Sequence, residues 1–297
     1  MLIGVASVDV PDNLVIGWLN LQDLGVGWHW FIGSLLIFIQ VLTINRMIIK
    51  NRMGQDPSLI PGLGYLLLSS IFPAMIYVSA DLIAMSFFVP AVSYLFEIYK
   101  KYHIEMEMFN AGILIGIASL IVPSFLIYSF VGLVTLLKLR AFSIKELLQF
   151  VNAIAFPFYI LWGILYLFGD TSFFYNVFDD AGITLGKLSE FWHMRLFRWL
   201  IVFLALAVSL FSYNGHMLKK TIQAQKKLES LYWILLLSLP AVLLSPYLSD
   251  QDFILYMYPT GIFLGLLLNR ISNRSLAEII HLTIFIGSLA NHYFHWW

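Results

Sequence analysis

The sequence LLQFVNAIAFPFYILWGILYLF, at residues 147–168, contains no charged side chain. A helix of about 20 residues crosses the roughly 30 Å hydrocarbon core of a bilayer, so this stretch predicts a membrane-spanning helix. Similar runs recur along the chain with short polar breaks, and we count about ten: 28–47, 59–79, 82–99, 108–122, 124–137, 147–168, 194–213, 230–248, 253–269 and 276–296. The pattern predicts an all-α membrane protein, a polytopic bundle of about ten transmembrane or membrane-embedded helices, some short or kinked.

The composition favours the same fold class. Sixty per cent of the 297 residues are hydrophobic and 11% are charged, whereas a soluble domain carries about 25% charged residues. The excess apolar surface must therefore face lipid. The net charge is zero and there are no cysteines. The zero net charge excludes a global electrostatic field that would attract nucleic acid. The absence of cysteines excludes disulfides, thiolate metal sites and a cysteine nucleophile.

The chain is predicted to form a single transmembrane helical domain over residues 1–297, because no polar stretch is long enough for a second domain. Residues 1–27 have no basic start, and Asp9, Pro11, Asp12 and Asn13 interrupt any apolar run there. This segment is therefore not typical of a signal peptide, and we expect it to be an extracytoplasmic N-terminal segment.

Two of the apolar runs carry helix-breaking residues. The run 59–79 contains Pro61, Gly62, Gly64 and Pro73, which predict a kink or a break. The runs 108–122 and 124–137 are each near 15 residues and meet at Pro123. They form either a short helical hairpin or one bent, partly re-entrant element.

The basic residues predict the orientation in the membrane. If the first run is directed inward, 14 of the 17 Lys and Arg residues fall on one side, which is then cytoplasmic. The acidic loops and the C-terminus are then periplasmic, and the location is a cell inner (cytoplasmic) membrane, crossed many times. The basic loops contain Arg46, Lys50, Arg52, Lys100, Lys101, Lys138, Arg140, Lys145, Lys219, Lys220, Lys226, Lys227, Arg270 and Arg274.

The predicted outer loop DTSFFYNVFDDAGITLGKLSEFWHMRLFR, at 170–198, combines carboxylates with guanidinium groups. Such groups at a membrane surface could bind a diphosphate, and a carboxylate there could deprotonate a sugar hydroxyl. If the protein is an enzyme, the catalytic candidates are Asp23, Asp81, Asp179 and Asp180, and the phosphate-binding candidates are Arg195 and Arg198. The alternative is a solvated acidic rim, with both arginines reaching to the headgroups.

Other motifs exclude or weaken several classes. The histidines have no tight metal spacing, and we predict no metal or cofactor. The interior of most runs is uncharged, which argues against an ion-coupled carrier. Neither G-x-x-x-x-G-K-[ST] nor G-x-S-x-G occurs, so ATP hydrolysis and serine hydrolase chemistry have no support. Gly112 and Gly116 have the spacing of a closely packed helix face.

Three stretches resemble a known family: NRMIIKNRMGQDPSLIPGLGYLLLSSIFP at 45–73, FNAGILIGIASLIVPSFLI at 109–127 and LKLRAFSIKELLQF at 137–150. They are similar to a family of uncharacterised polytopic inner-membrane proteins of Bacteroidota, known as a domain of unknown function. The resemblance implies an inner-membrane location and supplies no activity or catalytic residues. Proteins of that family typically begin with a further apolar segment, and residues 1–27 do not contain one.

Three functions stay open at this point. The first is a non-enzymatic inner-membrane subunit, a scaffold or accessory component of a cell-envelope complex, with other membrane or envelope proteins as partners. The second is a glycosyltransferase-like enzyme acting on polyprenyl-phosphate-linked sugars at the outer face. The third is a transporter of lipids or hydrophobic solutes. The bilayer is a partner in each case.

Overall fold

A computed structural model describes residues 25–54, 57–99, 101–139, 143–169, 203, 206–207, 209–217, 220–243, 251–271 and 274–294. These residues form ten α-helices and two 3-10 helices, with no strand among them. The α-helices are α1 (Val26–Lys50), α2 (Ile60–Ser70), α3 (Ala80–Glu97), α4 (Glu105–Ile121), α5 (Ser129–Leu139), α6 (Ile144–Phe168), α7 (Tyr213–Met217), α8 (Ile222–Leu243), α9 (Ile254–Leu268) and α10 (Arg274–Phe294). The all-α prediction is confirmed, while most of the run 194–213 lies outside the described residues.

Three of the described helices are long and apolar enough to cross a membrane: Gly27–Lys50, Ala80–Glu97 and Ile144–Phe168. The other apolar helices are shorter, among them Ile60–Ser70 and Ile254–Leu268. By length and composition, three of the described helices therefore qualify as membrane spans, whereas the sequence predicts about ten membrane segments.

Helix α9 lies at the centre and is buried along its whole length. It packs against α2 through glycines: a Cβ atom on Gly261 would lie 2.4 Å from the Cα of Tyr65, and one on Gly265 would lie 2.4 Å from the Cα of Pro61. The two backbones approach this closely because neither glycine has a side chain. The earlier residue of α2, Pro61, faces the later glycine of α9, Gly265, and Tyr65 faces Gly261. The two helices are therefore antiparallel.

Helices α1, α2 and α3 alternate in direction along the chain. Asn45 and Gln40 of α1 bond to Gly62 and Tyr65 of α2, so these helices are also antiparallel. Gln40 bonds to Leu82, and Lys50 bonds to Glu97, so α1 and α3 are parallel. Helices α1 and α3 therefore end at the same end of the bundle, with lysine and glutamate side chains.

The predicted break in the run 59–79 is confirmed. Helix α2 ends at Ser70, a 3-10 helix covers Pro73–Ile76, and α3 begins at Ala80. Ser79 caps α3, because its Oγ accepts a hydrogen bond from the backbone N–H of Leu82 at 3.1 Å.

The runs that meet at Pro123 form a hairpin, the first of the two alternatives. A 3-10 helix, Pro123–Tyr128, separates α4 from α5. At the start of α4, Glu107 pairs with Lys101, and at the end of α5, Lys138 pairs with Glu229. Gly112 and Gly116 pack α4 against α6, since added Cβ atoms would lie 2.5 Å from the Cβ of Ala153 and 2.4 Å from the carbonyl oxygen of Ile154.

Candidate functional site

Of the six predicted site residues, only Asp81 lies within the described residues. Asp23, Asp179, Asp180, Arg195 and Arg198 lie outside them. The convergence of acids and arginines at the outer loop therefore stays a prediction.

Asp81 lies in the first turn of α3 and is 7% exposed. Its Oδ1 atom has no hydrogen-bond partner, although the amide groups at a helix N-terminus favour a negative charge. A buried carboxylate oxygen without a partner is uncommon in folded proteins, because desolvation of the oxygen is then uncompensated. Asp81 is thus a candidate for contact with a group from outside the described residues.

Two further polar residues lie buried at the same end of the bundle. Gln251 and Asp252 precede α9, and both are buried. The next residue, Phe253, stacks on Phe72, with ring centroids 6.4 Å apart, so the entry to α9 lies beside the connection from α2 to α3. This end contains Asp81, Gln251 and Asp252 together.

The opposite end of the bundle contains a chain of ion pairs. The Nζ of Lys50 lies 2.5 Å from Glu97, and the Nζ of Lys101 lies 2.6 Å from Glu107 and 3.9 Å from Glu97. Because Glu107 accepts a hydrogen bond from Lys101, the pKa of Lys101 is raised above its usual value. A separate pair joins Lys138 to Glu229 at 2.6 Å.

Lys227 of α8 is buried at this same end, at 1% exposure. Its Nζ donates a hydrogen bond to the Oδ1 of Asn51 at 2.6 Å and lies 5.8 Å from the ring centroid of Tyr99. Burial lowers its pKa to about 8, and the charge of Glu97 partly opposes this shift. Helix α8 therefore directs Lys227 inward, toward the end of α1.

The centre of the bundle contains a hydrogen-bonded network within an aromatic cluster. Tyr65 donates to the Oε1 of Gln40 at 2.5 Å, and the Nε2 of Gln40 donates to Ser86 at 2.8 Å. Phe88 packs between Tyr128 and Tyr258, with ring centroids 4.5 and 6.0 Å away. The Tyr258 hydroxyl donates a hydrogen bond to the Sδ of Met47 at 4.0 Å, whereas the Tyr128 hydroxyl has no hydrogen-bond partner.

Among the described residues, no three His, Asp or Glu side chains are grouped so that they could hold a metal ion. Comparison with known proteins gives no match: no protein-family model, no curated protein and no solved structure matches the chain. The resemblance to the Bacteroidota family therefore stays a prediction.

Proposed function

We propose that this protein is a polytopic protein of a cell inner membrane. The observation that supports this is the reversed polarity of α1. The face of α1 that packs inward contains Gln40 and Asn45, both buried, whereas the outward face exposes Phe38, Ile39 and Leu42. A water-soluble helix would show the opposite arrangement. Lipid is the solvent that favours apolar side chains outside and polar groups bonded inside.

The proposed orientation places the ion-pair end in the cytoplasm. That end contains Lys50, Lys101, Lys138 and Lys227, and the opposite end contains Asp81 and Asp252. Cytoplasmic loops carry an excess of basic residues, so this distribution supports the orientation predicted from the sequence.

Within the membrane, we propose a non-enzymatic role as a subunit of a cell-envelope complex. Helix α6 supports this role. Its first half packs on α4 at Ala153 and Ile154, while its second half exposes large side chains, with Leu167 and Phe168 both 83% exposed. Trp162 and Tyr166 stack with ring centroids 5.5 Å apart. A helix that packs against the bundle with one part and exposes large aromatic side chains with the other is suited to packing against another membrane protein.

The test is site-specific crosslinking in living cells. A photoreactive residue at Tyr159 or Tyr166 of α6 is expected to crosslink to one or a few envelope proteins in stoichiometric amount. The same residue at Tyr102, which is 96% exposed between α3 and α4, serves as the control. The role as a subunit is refuted if α6 crosslinks only to lipid, the protein purifies alone in mild detergent and a deletion strain assembles its envelope complexes normally.

Asp81 favours a second candidate, an enzyme that acts on polyprenyl-phosphate-linked sugars at the acidic end. A buried carboxylate with an unpartnered oxygen is suited to accept a proton from a sugar hydroxyl. Replacing Asp81 by Asn should then abolish sugar transfer while the protein still folds. Full transfer activity in single Asn variants of Asp23, Asp81, Asp179 and Asp180 would exclude this candidate. Among the described residues, no feature favours the transporter alternative.

A further inference from the structure

The ion-pair end of the bundle contains more positive than negative charge. Three of its carboxylates are engaged by lysines: Glu97 with Lys50, Glu107 with Lys101, and Glu229 with Lys138. Among the described residues, no ion pair joins a carboxylate to three of the cations at this end, Arg52, Lys226 and Lys227.

Two of these cations, Lys226 and Lys227, lie close together where α8 meets the ends of α1 and α3. Lys226 and Lys227 both approach the ring of Tyr99, with Nζ atoms 6.0 and 5.8 Å from its centroid. Lys227 bonds to Asn51, and Arg52 is the next residue along the chain. We refer to Asn51, Arg52, Tyr99, Lys226 and Lys227 as the lysine junction.

A buried cation needs a compensating anion. Removing an ammonium group from water costs several kcal/mol, and buried charges in proteins are therefore generally paired. The neutral Asn51 oxygen bonded to Lys227 supplies only a dipole, and the Tyr99 ring adds a weak attraction. No carboxylate in the described part of the chain lies within ion-pair distance of this ammonium group, and Glu97, whose charge acts on it from farther away, is already paired with Lys50.

The backbone of Arg52 is a second, independent feature of the junction. Its φ angle is +51°, the only positive φ of a non-glycine residue in the described part of the chain. The N–H groups of Arg52 and Met53 close the end of α1 by bonding to the carbonyls of Ile49 and Ile48, a motif in which glycine is the usual residue at this position. A side chain in this conformation is strained, and strained residues of this kind cluster at functional sites.

We propose that the lysine junction binds a phosphate group, which belongs either to an anionic lipid or to a soluble phosphate compound. A phosphate offers several acceptor oxygens, and lysine and arginine are its usual ligands in proteins. Arg52 is exposed and Lys226 is half-buried, so both are accessible to a phosphate group, whereas Lys227 is buried. The proposal goes beyond the subunit and enzyme roles above and does not depend on which of them is correct.

The test measures the thermal unfolding midpoint of the full-length protein in a neutral detergent. The probes are mixed micelles with phosphatidylglycerol, mixed micelles with phosphatidylcholine, inorganic phosphate, and sodium chloride at equal ionic strength. Phosphatidylglycerol or inorganic phosphate is expected to raise the midpoint by several degrees more than its control. A rise with the lipid alone assigns the site to a headgroup, and a rise with inorganic phosphate as well assigns it to a soluble phosphate.

The variant Lys227→Met is expected to weaken the apparent affinity for the active probe about tenfold or more, because it removes the buried charge-assisted hydrogen bond. The matched control is Lys145→Met, which removes an exposed lysine of α6 and should leave the affinity unchanged. If Lys227→Met does not fold, Lys226→Gln should still weaken binding several-fold. The proposal is overturned if neither phosphate probe stabilises the wild-type protein, or if the folded variants at Lys226 and Lys227 bind as tightly as it does.

Discussion

Helices α6 and α9 are both strongly apolar, yet they lie in opposite surroundings. Every side chain of α9 except that of the partly exposed Leu267 is buried against other helices, whereas most of the second half of α6 is exposed. The difference lies in the small residues. Helix α9 contains Gly261 and Gly265 four residues apart, which admit the backbone of α2, while Gly163 of α6 has no neighbouring atom within 4 Å of an added Cβ. Hydrophobicity alone therefore does not distinguish packing against protein from exposure to lipid.

The largest effect on stability is expected from removing a buried aromatic ring. Phe88→Ala removes a ring that contacts Phe125, Tyr128 and Tyr258, and it should lower the free energy of unfolding by about 3–5 kcal/mol. The matched variant Phe168→Ala removes a ring that is 83% exposed and should change stability by less than about 0.5 kcal/mol. Unfolding in mixed detergent measures both, and equal losses would show that α6 is packed like the core.

A charge on the exposed side of α6 tests whether its surroundings are apolar, whether lipid or the proposed partner protein supplies them. Ile160→Lys places an ammonium group on the exposed face of α6, where transfer from water to the bilayer centre costs about 2.5–3.5 kcal/mol. We expect a marked loss of protein from the membrane fraction. The control Tyr102→Lys lies in the connection between α3 and α4 and should leave the yield unchanged. Equal yields of the two variants would indicate that this face of α6 meets water.

Replacing a glycine by alanine should change the stability of the protein in opposite directions in α9 and in α6. Gly261→Ala forces the backbones of α2 and α9 apart, since its Cβ would lie 2.4 Å from the Cα of Tyr65, and should destabilise the protein by about 1–3 kcal/mol. Gly163→Ala meets open space and should stabilise α6 by about 0.5–1 kcal/mol. Thermal unfolding midpoints give both signs, and a stable Gly261→Ala variant would contradict the close approach.

A pH-dependent effect concerns Lys227, the one buried lysine among the described residues. The pKa of Lys227 is about 8 in the folded protein, against a usual value of 10.5. Between these pH values the unfolded chain binds more protons than the folded one, so the contribution of Lys227 to stability rises with pH. In phosphate-free buffer, the unfolding midpoint of the wild type relative to Lys227→Met should increase from pH 8 to pH 10.5. A constant difference would show that Lys227 is solvated.

Much of the fold could be predicted from local pattern. The apolar runs located the helices, and Pro61, Pro73 and Pro123 marked the places where they break, because proline removes a backbone donor. The spacing of Gly112 and Gly116 predicted close helix packing. Gly261 and Gly265 have the same spacing, which could have predicted the close packing of the central helix but was not used. The site was less predictable. Asp81 was named from its position, but its burial and its unpartnered oxygen depend on how α3 and α9 pack.

The sequence by itself determined that the chain is helical, where its helices break and which loops are basic, because these properties depend on neighbours within a few residues. Only the tertiary structure decided that α9 is central and α6 peripheral, and that Lys227 faces inward to Asn51, 176 residues away. Burial of a lysine and the pairing of charges are set by which helices meet, and helices separated along the chain meet through shape, small residues and buried hydrogen bonds. Those long-range choices place the buried ammonium group of Lys227 at the lysine junction and the unpartnered Oδ1 of Asp81 at the opposite end.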